Sequence, residues 1–351
     1  MKFTAERKRF LGAVIAASDP IRRSHLPILE CLHVIAKDNR LRLIGSNMDV
    51  EVQAICDAAV ASPGEFSIDA GTLRAALTRS DGDVCEVVLG EAVSLTCGRV
   101  SAEIPAMIGK FPRLQPPGAG VEVDRGMNAM AFCAPFAANE KYASWAQGVH
   151  FGGDFATAYD GASFAWHEVG GGDGQIIPRE SVAIAQRIGE RLFLTDRAWR
   201  AESEGAHAAG KLLEGPYHSQ WRSLMKPGAV IASFDADAVS GAINAATIGG
   251  ARRVILSLSG PSLVATGDND ALTKARKSEA ECACDADTDV KMVMDAAKMA
   301  GILGALSGSI VNLSISGPAA FFIPNGGAAR GCALGMMRDA RNSIPGEVVA
   351  A

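Results

Sequence analysis

Between Phe155 and Trp166 the chain reads FATAYDGASFAW, two apolar, aromatic runs on either side of Asp160-Gly161. Asp-Gly supplies the positive φ angles that tight turns require, so the stretch predicts a β-hairpin. One hairpin does not decide a fold, but its surroundings do. An apolar-faced helix over 124–134 (Met127, Met130, Ala131, Ala134) precedes it. A β-like run, QII, and a second helix, PRESVAIAQRI from Pro178, follow it, and RLFLTDRAWRAES (191–203) supplies more strand.

The same order occurs twice more. First helices fit 5–17 (Phe10, Leu11, Val14, Ile15) and 235–247 (Val239, Ala242, Ile243, Ala246). Thr4, Asp124 and Asp235 are placed to cap the three first helices. Strand pairs RLRLIGSNMDVEVQAI (40–55) and PSLVATGDNDALTKARKSEAE (261–281) match the hairpin's place. The second helices open as DAGTLRAAL at Asp69 and DAAKMAGILGAL at Asp295, after EFSI and KMVM. VCEVVLGEAVSLTC and SIVNLSISGPAAFFI then close their copies as strands. The copies share almost no residue identity, so the repeat is one of pattern.

Pro- and Gly-rich stretches, FPRLQPPGAG (111–120) and LMKPGA (224–229), divide the copies. The expected fold is α+β: three similar domains, 1–117, 118–228 and 229–351, each with two helices and antiparallel sheets. A linear array leaves sheet edges exposed at both ends. Pairing the first domain of one chain with the last of another closes a ring as a head-to-tail dimer.

Composition narrows the function. The 351 residues are 48% hydrophobic and 21% charged, with a net charge of −5. That argues against a strongly basic nucleic-acid binder, although it averages over the surface. The eight cysteines lie scattered in apolar runs, as buried reduced thiols do, which suits the cytosol. ERKRFLGAVIAAS (6–18) has the basic start and short apolar run of a weak signal peptide, but Glu6 and the Asp19-Pro20 stop favour an amphipathic helix. No apolar run reaches the ~18 residues of a membrane span.

Several segments resemble one known family. MKFTAERKRFL, HLPILECLHV (25–34), RLRLIGSNMDVEVQA (40–54), FPRL (111–114), IIPRESV (176–182) and EGPYHSQWRSLMKP (214–227) are similar to stretches of the bacterial β sliding clamp, the processivity subunit of DNA polymerase III. The resemblance covers residues 1–338 and is strongest in the first domain. It implies a homodimeric ring of six domains around duplex DNA, helices lining the hole, in the cytoplasm, with no catalysis and no cofactor. It also implies partners: DNA held without regard to sequence, the polymerase III alpha subunit, the clamp loader and other proteins with a clamp-binding motif.

The resemblance assigns residues as well. Arg23 aligns with a DNA-contacting loop arginine. Tyr142 and Trp145, in KYASWAQG, fall where the family places DNA-facing tyrosines, with Ser144 at the other of those positions. Ordinary hairpin packing is the alternative for both aromatics. Arg79 and Arg187, on the second helices, are candidates for the hole lining, or are solvated helix charges. The family's turn A-T-D-G-H-R-L-A, one wall of an apolar cleft for partner peptides, reads A-Y-D-G-A-S-F-A here. Gly161 matches; Tyr159, Ala162, Ser163 and Phe164 differ. Ala146 stands where a larger aliphatic is usual. Met225 and the final strand, with Leu334, Met336 and Met337, supply the other walls, and Met-rich walls suit peptide anchors. Gly335-Met336 replaces the family's Met-Pro.

An enzyme is the rival class. CAC (282–284) pairs two thiols, but no histidine lies near enough to complete a metal site. The GGG run lacks the lysine of a phosphate loop, and there is no G-x-S-x-G elbow. A closer rival is a divergent clamp paralogue, of phage or mobile-element type, serving another polymerase. After Arg338 the chain continues as DARNSIPGEVVAA, placed to cover the cleft. Deleting residues 339–351 is expected to raise affinity for a partner peptide; equal affinity before and after would exclude a covering tail.

Overall fold

The computed structural model describes the chain except residues 115–117, 140, 269–276, 285–288, 338, 340, 341 and 343–351, and except the side chains of 282–284. It contains two compact units. One comprises residues 1–127 and 177–213, the other 128–176 and 214–351.

The three copies are recognisable in the element order. Each opens on a strand, passes through a helix, a run of strands and a second helix, and ends on at least three strands. In chain order the first and second helices are α1 (Arg7–Ala17) and α2 (Ala70–Arg79), α3 (Gly126–Cys133) and α4 (Arg179–Ile188), and α5 (Ala236–Ala246) and α6 (Ala296–Ala305). The leading strand escapes the helix periodicity. Thr4, expected to cap α1, instead lies in strand Lys2–Glu6, paired with Ala59 and Glu86. Glu6 precedes α1 without a side-chain cap, and Asp124 sits two residues ahead of α3. Asp235 does cap: its carboxylate accepts from the Ala238 amide at 2.8 Å. Asp69 and Asp295 cap α2 and α6 in the same way.

The buried face of α1 also differs from expectation. Phe10, Ala13, Val14 and Ala17 face the core, whereas Ile15 is exposed. Their i, i+3, i+4, i+7 spacing is that of a helix stripe. Phe3 and Phe10 meet edge to face at 5.8 Å in the first unit's core, with Leu32, Val34, Leu41 and Leu73 around them.

A glycine at the same place marks a packing constraint that the first and third copies share. A Cβ on Gly45 would lie 2.0 Å from the carbonyl oxygen of Ala17, the last residue of α1. A Cβ on Gly267 would lie 2.1 Å from that of Ala246, the last residue of α5. In both copies the second strand after the first helix passes directly under that helix's C-terminal carbonyl, and only glycine fits.

The middle copy contributes to both units, through antiparallel pairs. Its last strand, Ala206–Lys211, pairs with Val50–Asp57 and continues the nine-stranded sheet of the first unit. Its hairpin strand Ser163–Glu168 pairs with Arg330–Gly335 and continues the twelve-stranded sheet of the second. The compact units therefore divide the middle copy, while the sequence repeat does not.

One ion pair pins the segment after the first copy. Glu51, on strand Val50–Asp57, is buried. Its carboxylate accepts from Arg113 Nη2 at 2.6 Å and Nε at 2.9 Å, and from the Leu114 amide at 3.1 Å. The FPRL stretch is thereby tied to the sheet at the seam strand. Six cysteines are buried free thiols, and burial pushes Cys56 up to about 12. CAC lies on strand Lys277–Cys284, its side chains outside the described residues. Arg113→Ala leaves the Glu51 carboxylate buried without its charge partner and is expected to cost about 3 kcal/mol in urea unfolding. Arg197→Ala, which breaks a fully solvated pair with Asp196, is expected to cost under about 0.5 kcal/mol.

Candidate functional site

The second unit builds the site around the turn between strands Phe155–Tyr159 and Ser163–Glu168. Tyr159 pairs with Phe164, as the sequence predicts for a hairpin. The turn is not the two-residue type with two positive φ values. Only Gly161 of the pair is left-handed, at φ 94°. Asp160 organises the rest. Its Oδ1 accepts from the amides of Ala162 (3.0 Å) and Ser163 (2.8 Å), an Asx turn. Its Oδ2 pairs with the ammonium of Lys298, in the first turn of α6. Burial alone would raise the Asp160 carboxyl; the bonds from Lys298, Ser163 and Ala162 outweigh it and hold the group below the usual carboxylate range.

The last strand is placed by this turn. Ser163 pairs with Leu334, and the Gly335 amide donates to the Ala162 carbonyl at 2.8 Å. The Met336 amide then donates to Pro318 and the Met337 amide to Val293, at 2.7 and 2.9 Å. Asn342 closes the run: its Oδ1 accepts from the Val293 amide and its Nδ2 donates to the Met337 carbonyl. Tyr159, Gly161, Ala162, Ser163, Phe164, Leu334 and Met336 therefore gather around one turn. Ala146 and Met225 arrive on separate 3-10 turns, Ser144–Ala146 and Trp221–Met225.

Burial divides these residues. Ala146, Ser163, Phe164 and Leu334 are buried and act as floor. Gly161, Ala162 and Met337 are exposed, and Tyr159, Met225 and Met336 half-buried. The accessible part of this group is thus narrower than the family motif suggests. Arg338 and most of the tail lie outside the described residues.

Sequence reasoning missed the aromatic packing behind the hairpin. Tyr217 stacks on His150 at 4.1 Å, and Trp221 meets His150 at 5.5 Å and Phe155 at 6.4 Å. His218 lies between Trp145 and Tyr159, at 6.1 Å from each. The signal was YHSQW (217–221), rings crowded into a Gly/Pro-flanked stretch. Trp145 is part of this packing, edge-on to Tyr217 at 5.6 Å and half-buried. Tyr142 is different. It is 53% exposed, and its ring stands beside Gly161.

The arginines separate too. Arg23 and Arg79 are exposed. Arg187 is engaged: its guanidinium makes two 2.8 Å bonds to the Asp19 carboxylate, so a charge read as free on α4 is neutralised. Asp19 reads in sequence only as a helix stop. Among the described residues no group of His, Cys, Asp or Glu is arranged to hold a metal ion, and no helix is long and apolar enough to cross a membrane.

Residues 1–107 match the family model of the DNA polymerase III beta subunit, N-terminal domain. Solved sliding clamps share the fold over 97% of the chain. The Caulobacter crescentus DNA polymerase sliding clamp superposes with a TM-score of 0.85 at 22% identity, covering 97% of this chain and 100% of that one. A sliding clamp (DNA polymerase III subunit beta) from Bartonella birtlesii bound to griselimycin gives 0.86 at 18%, with the same coverage. A Caulobacter vibrioides beta sliding clamp is 26% identical over 274 residues, 70% of this chain and 74% of that protein. The fold is that of the sliding clamps, at 18–22% identity to these two solved structures.

Burial, reinforced by Arg222, lowers His150 to about 4. Its folded value lies below its ordinary one, so the unfolded chain takes up the proton first. The stability it contributes is complete above about pH 6.5 and is lost as the pH falls toward about 4, up to about 3 kcal/mol. Urea midpoints of the wild type should drop over that window, and His150→Phe should flatten the drop. Parallel curves would exclude His150 as the source.

Proposed function

We propose that this chain is a sliding clamp: two copies close head to tail around duplex DNA and tether a DNA polymerase for processive synthesis. The observation that carries this reading is the clamp fold over 97% of the chain, joined to the beta-subunit match in its first 107 residues. Residues 1–117, 118–228 and 229–351 act as the three clamp domains of each protomer. The clamp holds DNA by topology and needs no catalytic group or cofactor. Its DNA contacts are to phosphates, which carry no sequence information and permit sliding. Arg23, Arg79 and Tyr142, all exposed, are the contacts supported best. Arg187, exposed but bonded to Asp19, and Trp145, packed edge-on to Tyr217, are further candidates with less support.

The accessible residues Tyr159, Gly161, Ala162, Met225, Met336 and Met337 form the wall that receives peptides from the polymerase alpha subunit, the clamp loader and similar partners. The protein works in the cytoplasm, where the chromosome is. A second reading is a paralogue serving another polymerase, favoured by Tyr159, Ala162 and Ser163 in place of the family's Thr, His and Arg. A peptide of the Gln-plus-Leu-Phe clamp-binding type separates the two: tight binding fits the replicative clamp, poor binding the paralogue.

Light scattering should give a mass of about twice 36.5 kDa, with a central hole by scattering or microscopy. The loaded protein should stay on circular DNA and leave linear DNA. A compact monomer, or equal retention on both, would overturn the clamp reading.

A further inference from the structure

The turn that carries the accessible wall is fastened to the rest of the unit at few points. Its backbone is tied to the last strand by one bond, Gly335 amide to Ala162 carbonyl. Its second tie is ionic: Asp160 Oδ2 to Lys298 Nζ, across 138 residues of sequence. Both groups are substantially shielded, with side-chain exposures of 17% and 31%. Shielding matters, because a charge-assisted bond in a partly desolvated position is stronger than a neutral one or a solvated ion pair.

The Asp160 carboxylate is divided between two tasks. Oδ1 shapes the turn through the Ala162 and Ser163 amides; Oδ2 attaches the shaped turn to α6. Lys298 is held in turn, since its own amide donates to the Asp295 cap. Tyr159, next to Asp160, sends its hydroxyl to the Gly161 carbonyl, and the Tyr142 ring flanks Gly161. Moving the turn relative to α6 therefore moves Tyr159, Gly161 and Ala162 together. Removing the Lys298 charge leaves the Asx turn intact and the hairpin paired, while freeing the turn from α6.

We infer that Lys298 is a positioning residue for the partner cleft: through Asp160 it fixes the turn bearing Tyr159, Gly161 and Ala162 against α6, and so sets the peptide affinity of a wall it does not form. The inference rests on the cleft reading given above. It makes the cleft a composite of the second and third copies, latched by charge as well as by sheet.

The test uses the full chain as wild type, Lys298→Met and Lys298→Arg, with two readouts. Amide exchange at Ala162, Ser163 and Gly335 should be about five- to tenfold faster in Lys298→Met and restored in Lys298→Arg. Exchange at Leu256 and Val264, on strands far from the turn in sequence, should be unchanged and reports that the variant is folded. Affinity for a fluorescein-labelled peptide of the Gln-plus-Leu-Phe type should fall in the Met variant and recover in the Arg variant. Unchanged exchange overturns the latch. Faster exchange with equal affinity in all three proteins overturns its positioning role. No binding by the wild type overturns the positioning role for this class of peptide, separately from the latch, which the exchange result decides.

Discussion

The second unit depends on the antiparallel pairing of Ser163–Glu168 with Arg330–Gly335. That pairing joins a hairpin from the middle of the chain to its last regular strand. It is made of backbone amides and carbonyls, which every non-proline residue carries. Side chains enter at one demanding point. Trp166 lies across Gly331, where a Cβ would come within 2.4 Å of its ring. The tryptophan covers a position that must stay bare, and its Nε1 donates to the Ala328 carbonyl at 3.1 Å. Without this seam the Asp160 turn and Met336 would belong to separate pieces of chain.

Backbone seams explain how the three copies keep one fold with so little shared sequence. Pairing between strands asks for alternation and register, and many residues satisfy both. Specific residues are required only where backbones crowd or charges are buried. Gly45 and Gly267 mark the crowding at the ends of α1 and α5. Glu51 and Arg113 mark the buried charge. Between such points the chain is free to drift, and a clamp fold persists at 22% identity.

The same physics decides what was legible in the sequence. Helices α2, α5 and α6 announce themselves by an aspartate cap and a following apolar stripe, both local signals. The hairpin is local too. Strand Lys2–Glu6 was hidden because Thr4 is as good a cap as it is a strand residue, and its partners lie at Ala59 and Glu86. Arg187 and Asp19 are 168 residues apart, so nothing local distinguishes an engaged arginine from a solvated one. Lys298 escaped for the same reason, lying on a helix whose pattern reads as core. The family motif names residues of one turn but does not sort buried from exposed, because Phe164 and Ala162 differ in exposure by the facing of one turn.

That sorting bears on which positions of the turn can change without disturbing the fold. The floor residues Ser163, Phe164 and Leu334 are held in register by the sheet, so replacing them disturbs packing at a 3% or lower exposure. Wall residues at the tip carry no ladder bonds through their side chains. Ala162 contributes only its backbone to Asp160 and Gly335, and any small or flexible side chain leaves those bonds in place. Substitution at the tip therefore costs less stability than substitution in the floor, although the turn departs from the family motif at both, Ser163 and Phe164 being floor. Asp160 is the limit of that freedom. Its two oxygens are both committed, one to the turn and one to Lys298, so the tip can change its side chains while the aspartate that aims them cannot.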